Sequence, residues 1–151
     1  MRRLLLIGSA LALAACATPR SHGPAPPPQI SGERFAAAAA AVIGQPYRYG
    51  GSAPGGFDCS GLVAYAAEMA GLHVPRTAAG QIMTGVPIDR RQLRSGDLVF
   101  MHLSRKELHV GVAVDNSRFV HAPSRGGRVR IDSLDAPPYS RSFIGARRIV
   151  N

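Results

Sequence analysis

The hydrophobic pattern of this chain changes once, near Asp97, and that change constrains the fold more than any other feature. Before it, apolar residues recur at helical spacing. After it, they come in short runs rich in β-branched residues, divided by turns. Ser31 or Gly32 to Ile43 is Ala-rich, carries Glu33 in its first turn and ends at Gly44 and Pro46, so it reads as a helix. A second helix is expected from Cys59 to about Met69, stopping at Gly71. Counted from Cys59, residues Leu62, Val63, Ala66, Met69 and Ala70 share one helical face. Thr77 suits the cap of a short helix to about Met83. Leu98–Met101, Leu108–Val114, Arg118–Ala122, Arg128–Ile131 and Phe143–Val150 read as strands, with turns at 93–97, 115–117 and 124–127. Helices first and a strand meander afterwards imply an α+β domain. Its N-terminal helices would pack on one face of an antiparallel sheet of about five to six strands.

The start of the second helix carries the chemistry. In Gly55-Gly56-Phe57-Asp58-Cys59-Ser60-Gly61-Leu62-Val63 two glycines allow a tight approach, and the Asp58 carboxylate suits the helix cap. Cys59 then lies at the N-terminus, on the apolar face. Free N–H groups and the helix dipole favour an anion there, which lowers a thiol pKa and makes a thiolate available near neutral pH. The position also suits a small buried hydrophobe, since free cysteines are often buried.

The N-terminal segment bears on that choice. Met1-Arg2-Arg3 is basic, and Leu4 to Ala15 is an apolar run too short for a permanent membrane span. Residues 1–15 therefore read as a signal peptide. Leu13-Ala14-Ala15-Cys16 resembles a bacterial lipobox, in which Cys16 becomes the lipid-carrying N-terminus. Ordinary secretory cleavage at the Ala-rich stretch is the alternative. Several acyl chains would anchor the chain firmly, where one alone binds only marginally. Ala17 is not acidic, and by resemblance to the Gram-negative sorting rule this points to the outer membrane, facing the periplasm. Residues 16–31 form the lipidated cysteine and a Pro-rich linker with Pro24, Pro26, Pro27 and Pro28, extended and semi-rigid. Residues 32–151 are the folded domain, long enough for a single core. With Cys16 lipidated, Cys59 is an unpaired thiol in an exported protein, where oxidation is a hazard. A thiol kept there points to function.

The net charge of +9 falls to +7 once Arg2 and Arg3 leave with the signal peptide. The basic residues are mostly Arg, scattered and without interleaved aromatics, so nucleic-acid binding has little support. They suit anionic envelope polymers, or reflect an Arg-rich proteome.

A three-residue hairpin loop at 115–117 would set Val114 opposite Arg118. His109 and His121 would then share a sheet face as diagonal neighbours. A one-residue slip would separate them. A helix-start cysteine, a strand histidine and a second polar ring are the parts of a thiol hydrolase. The thiolate attacks a carbonyl, the first imidazole moves the proton, and the third group orients that imidazole. The Cys59 N–H and a tyrosine hydroxyl from the loop at 45–52 would serve the oxyanion. Each histidine alone also fits a half-buried strand residue with a satisfied hydrogen bond. His22, His73 and His102 lack such context. Zinc through Cys59, His109 and His121 lacks a suitably spaced fourth ligand, and no cofactor is indicated.

Several segments, in their order and spacing, resemble the NlpC-type family of bacterial cell-wall cysteine peptidases. They are Pro46-Tyr47-Arg48-Tyr49-Gly50-Gly51, Phe57 to Val63, Pro75-Arg76-Thr77 with Gln81, Gly96-Asp97-Leu98-Val99-Phe100, and His109-Val110-Gly111-Val112 through Phe119-Val120-His121-Ala122. The resemblance covers nearly all of the chain after the linker. It implies a compact papain-like α+β fold. It also implies cleavage of peptidoglycan stem peptides, commonly between γ-linked D-glutamate and the diamino acid. By position it implies Cys59 as nucleophile, His109 as base and His121 as the orienting residue. It places Tyr47 at the oxyanion site, and Asp58 and Ser60 where some members hold the free amine of the stem peptide. Asp58 already has a sufficient role as a cap. No wall-binding repeat is recognisable, so positioning would fall to the lipid anchor, the basic surface or an envelope adaptor. The implied partners are stem peptides and, through Cys16, the membrane; nucleic acid is not among them, and the domain reads as a monomer. Acyl transfer or amidase chemistry on the same scaffold is an alternative, since a thioester goes to water or to an amine. A non-hydrolytic muropeptide-binding lipoprotein is another.

Overall fold

The computed structural model describes residues 31–105, 107–124 and 127–150. The expected signal peptide, Cys16 and all of the expected linker except Ser31 lie outside the described residues. In chain order the elements are α1 (Gly32–Ala40), β1 (Ser52–Ala53), β2 (Gly56–Phe57), α2 (Cys59–Met69), α3 (Ala78–Gln81) and β3 (Val86–Ile88). A 3-10 turn (Arg90–Gln92) leads to β4 (Leu98–Ser104), β5 (Glu107–Ala113), β6 (Arg118–His121), β7 (Arg130–Ser133), α4 (Tyr139–Ser142) and β8 (Phe143–Arg148).

Strands β3 to β8 form one antiparallel sheet of six, in the order β3-β8-β4-β5-β6-β7. The α+β class and the strand count agree with the pattern read from the sequence. Strand β3 had no such signal, because Pro87 argues against a strand. It lies at the sheet edge, where a missing donor is tolerated.

Ser31 caps α1, its Oγ accepting the Arg34 N–H at 3.2 Å. The helix ends at Ala40, short of the expected Ile43, and residues 41–44 turn the chain. Helix α2 runs from Cys59 to Met69 as expected. Met69 lies on the rim of its apolar stripe and is 55% exposed; Ala67 is buried instead. On that side of the sheet, Phe35, Leu62, Val63 and Ala66 pack against Leu98, Phe100, Val110, Val112 and Val120. On the other side, Val99, Met101, Ala113, Phe119, Leu134 and Tyr139 form a second cluster, closed over by the chain around α4. A strand covered on both faces needs no alternation, which explains the unbroken Leu98-Val99-Phe100-Met101.

A buried ion pair ties the sheet together. Asp97, in the turn before β4, accepts Arg148 Nε at 2.8 Å and Nη2 at 2.7 Å, and the Arg94 N–H at 2.8 Å. The Asp97 side chain is 2% exposed. Removing one member of a buried pair leaves the other charge unpaired, so Asp97→Ala should lower unfolding stability by about 3–5 kcal/mol. Denaturant unfolding measures this directly. A loss under about 1 kcal/mol would place the pair with ordinary surface ion pairs.

Candidate active site

Asp58 organises the approach to Cys59. Its Oδ1 accepts the Gly61 N–H at 2.6 Å, capping α2, and its Oδ2 accepts the Gly50 N–H at 3.0 Å. Arg76 lies across the same carboxylate, Nη1 3.0 Å from Oδ1 and Nη2 2.8 Å from Oδ2. Arg76 also donates to Ser60 Oγ at 3.0 Å and to the Gly51 carbonyl at 3.2 Å. Burial would raise the Asp58 carboxyl, but the bonds from Arg76, Gly61 and Gly50 outweigh it and hold it below its ordinary value. Gly61 is required here: a Cβ would collide with the Gly51 carbonyl oxygen. Behind this turn the buried Gln81 donates through Nε2 to the Ser60 carbonyl at 2.9 Å and the Pro75 carbonyl at 2.8 Å.

Cys59 is half-buried, and the backbone amides of Val110 and Ser60 favour its thiolate form. Strand β6 pairs with β5 only at Val112↔Val120 and Ala113↔Phe119. Val110 lies past the end of that ladder. Burial pushes the Cys59 thiol up, the Val110 amide pulls it back, and the Asp58 charge adds to the rise. The net shift is upward, opposite to the expectation from the helix N-terminus alone. The dipole at a helix end is worth at most about 2 kcal/mol, and burial outweighs it here.

The hairpin register is the expected one: the Val114 N–H donates to the Arg118 carbonyl at 2.9 Å. His109 and His121 therefore share a face and meet, His109 Nε2 to His121 Nδ1 at 2.8 Å, with the rings edge-to-face. Gly111 makes room between the strands, since a Cβ there would press on the Phe119 ring and the His121 Cβ. The His121 ring stacks on Phe119, a member of the second cluster. The far nitrogen of His121, Nε2, lies 2.8 Å from Asp132 Oδ2. The same oxygen accepts Tyr139 Oη–H at 2.9 Å and Arg130 Nε–H at 2.9 Å. Burial, with the neighbouring His121, lowers His109 to about 3. Burial also lowers His121, to about 4, against the opposing bond from Asp132. Both rings are neutral at neutral pH.

Tyr47, Asp58, Cys59 and Ser60 line one groove of about 640 Å³, together with Arg76 and Glu107. Burial and the charge at Cys59 raise the Tyr47 phenol, consistent with its place beside the thiol. His109 and His121 form a buried pair on β5 and β6. The link between the two is β5, whose Val110 amide, next in sequence to His109, favours the Cys59 thiolate. The imidazole nitrogens are at hydrogen-bond distance, which leaves no space for a zinc ion between them. Among the described residues no cluster of three or more metal-binding side chains occurs. Cys16 lies outside the described residues.

Asp132 is the group that sequence reasoning missed. The pairing His121↔Arg130 sets Asp132 diagonally beside His121, the same relation that joins His109 to His121. The β6–β7 register held that signal.

Residues 44–148 match the sequence model of the NlpC/P60 family. The chain belongs to the NlpC/P60 family. It is 43% identical to the murein DD-endopeptidase MepH of Escherichia coli K12, over 72% of this chain and 42% of that protein. It is 37% identical to a protein of the same organism named "Probable endopeptidase NlpC", over 99% of this chain and all of that one. Among solved structures, an NlpC/P60 family protein from Bacillus cereus has a TM-score of 0.76 at 28% identity, over 82% of this chain and 42% of that one. The chain thus spans less than half the length of MepH and of the Bacillus protein, and the full length of NlpC.

The buried histidines give this NlpC/P60 domain a pH-dependent stability. Their folded pKa values, about 3 and about 4, lie below the unfolded value of 6.5, so the unfolded chain binds more protons on acidification. Their contribution is complete above 6.5 and is lost as the pH falls toward those folded values. Denaturant unfolding at successive pH values should show this decline, with a shallower slope in His121→Asn. Equal slopes in the two proteins would remove the histidines as its source.

Proposed function

We propose that this protein is a peptidoglycan endopeptidase that uses Cys59 as nucleophile, His109 as general base and His121 as the group that orients His109. The observation that carries the reading is Cys59 at the N-terminus of α2, in the groove with Tyr47, together with the buried His109–His121 pair on β5 and β6. The names of MepH and NlpC support endopeptidase chemistry, and MepH's name supports murein as the substrate.

The reaction begins as the Cys59 sulfur bonds to the scissile carbonyl carbon and its proton passes to His109. The Cys59 N–H and the Tyr47 hydroxyl stabilise the charge on the carbonyl oxygen. Collapse expels the amine, which takes the proton from His109, and leaves a thioester on Cys59. Water then attacks the thioester and gives a proton to His109. The acid departs, and the proton returns to the thiol. We assign Asp58 and Ser60, which line the groove with Arg76, to hold the free amine of the stem peptide.

The scissile bond we assign is the one between γ-D-glutamate and the diamino acid. The DD bond in MepH's name is the competing assignment. The domain works at the envelope, tethered through lipid on Cys16 by the linker over residues 16–31, with the outer membrane as the site of the anchor. Support for the tether is the apolar run ending in Leu13-Ala14-Ala15-Cys16.

Incubating the full chain with purified peptidoglycan, and separating products by mass spectrometry, tests this. Fragments ending in γ-D-glutamate are expected, and none from Cys59→Ala, at an unchanged melting temperature. Cross-bridge cleavage alone would reassign the bond. Undiminished turnover by Cys59→Ala would refute the nucleophile. Amine adducts in place of hydrolysis products would indicate acyl transfer.

A further inference from the structure

Burial leaves the two histidines with few partners, and each partner limits where a proton can sit. Asp132 Oδ2 receives three groups, His121 Nε2 at 2.8 Å, Tyr139 Oη at 2.9 Å and Arg130 Nε at 2.9 Å. Burial would raise this carboxyl, yet the bonds from His121, Arg130 and Tyr139 outweigh it and keep it ionised. An ionised carboxylate only accepts. A neutral His121 must then carry its proton on Nε2, which leaves Nδ1 as a lone pair. The group at 2.8 Å from that lone pair is His109 Nε2. Two lone pairs do not hydrogen-bond, so His109 must carry its proton on Nε2 as well. Its Nδ1 is then the free base.

We propose that Asp132 is a positioning residue that sets the tautomer of His121 and, through it, that of His109, leaving His109 Nδ1 unprotonated to receive the thiol proton. The second half of this statement rests on the peptidase reading above; the tautomer relay does not. No proton is transferred to Asp132. Its carboxylate holds one ring, and that ring holds the next. Arg130 and Tyr139 keep the carboxylate oriented and charged.

The test is long-range proton–nitrogen NMR of the full chain carrying nitrogen-15 histidine, beside steady-state kinetics on soluble muropeptide. The wild type should show both His109 and His121 protonated at Nε2 at neutral pH. In Asp132→Asn the amide is able to donate to His121 Nε2. His121, and with it His109, should then shift toward the Nδ1-protonated form. The same variant should lose about 10- to 100-fold in kcat with KM nearly unchanged, as expected when a supporting group misorients the base. Asp132→Glu, which restores a carboxylate, should recover part of that loss. A wild-type His109 protonated at Nδ1 overturns the proposal, even if every variant fails to fold. So does an Asp132→Asn protein that keeps both tautomers and its full kcat. A wild type with the expected tautomers but no activity on any muropeptide would sink the peptidase reading and leave the relay standing.

Discussion

The Asp58 carboxylate accepts from the first turn of α2, from the loop amide of Gly50 and from both terminal nitrogens of Arg76. One group thereby fixes the start of the helix, the loop that carries Tyr47 and Tyr49, and the segment leading to α3. Gathering these elements costs desolvation of a charge, and Arg76 offsets that cost because its fork matches both oxygens. Gly61 allows the loop backbone to close onto the helix without a clash. The position of Cys59 follows from these contacts, one residue along from the cap.

The sheet supplies the other half. Covered on both faces, it can hold polar rings only where they satisfy one another. Strands β5 and β6 pair only at Val112 and Ala113, and the segment of β5 before that ladder carries both the Val110 amide that favours the Cys59 thiolate and His109, whose ring meets His121. The polar chain grades from the interior outward. His121 is fully buried, Asp132 is 23% exposed and Arg130 is 52% exposed, measured on their side chains. That gradient explains why the rings are neutral and the carboxylate is charged. Neutral groups tolerate the interior, and the charge sits where solvent and a guanidinium reach it.

Much of this was legible in the sequence. The single change of hydrophobic period predicts the α+β class, and the Asp58 cap predicts the first residue of α2. The three-residue turn at 115–117 predicts the register that joins His109 and His121. Each of these depends on residues close together in the chain. What escaped depends on distance or on packing. Arg76 reaches Asp58 from eighteen positions away, and its motif names no partner. Asp132 enters through the β6–β7 pairing, across a connection whose length does not set a register. Met69 has helical spacing but lies in the last turn, at the rim of the stripe. The thiol shift reverses sign for the same reason: a helix N-terminus is visible in a sequence, while the burial that outweighs it is not.

That reversal changes how the chemistry must run. With the proposed roles for Cys59 and His109, a thiol pushed above its ordinary value and an imidazole lowered to about 3 do not rest as a thiolate–imidazolium pair. Both partners are neutral before substrate arrives. In the proposed mechanism, attack on the carbonyl and transfer of the proton to His109 then proceed together, with the growing charge on oxygen favouring the imidazolium. In an ion-pair mechanism the tautomer of the resting histidine is irrelevant, because both nitrogens are already protonated. In a general-base mechanism one nitrogen must be empty, and it must be the one that can reach the thiol proton. A site that buries its histidines this deeply therefore needs a fixed charge outside the pair to decide which nitrogen that is. Asp132, ionised and within hydrogen-bond distance of the second ring, meets that requirement.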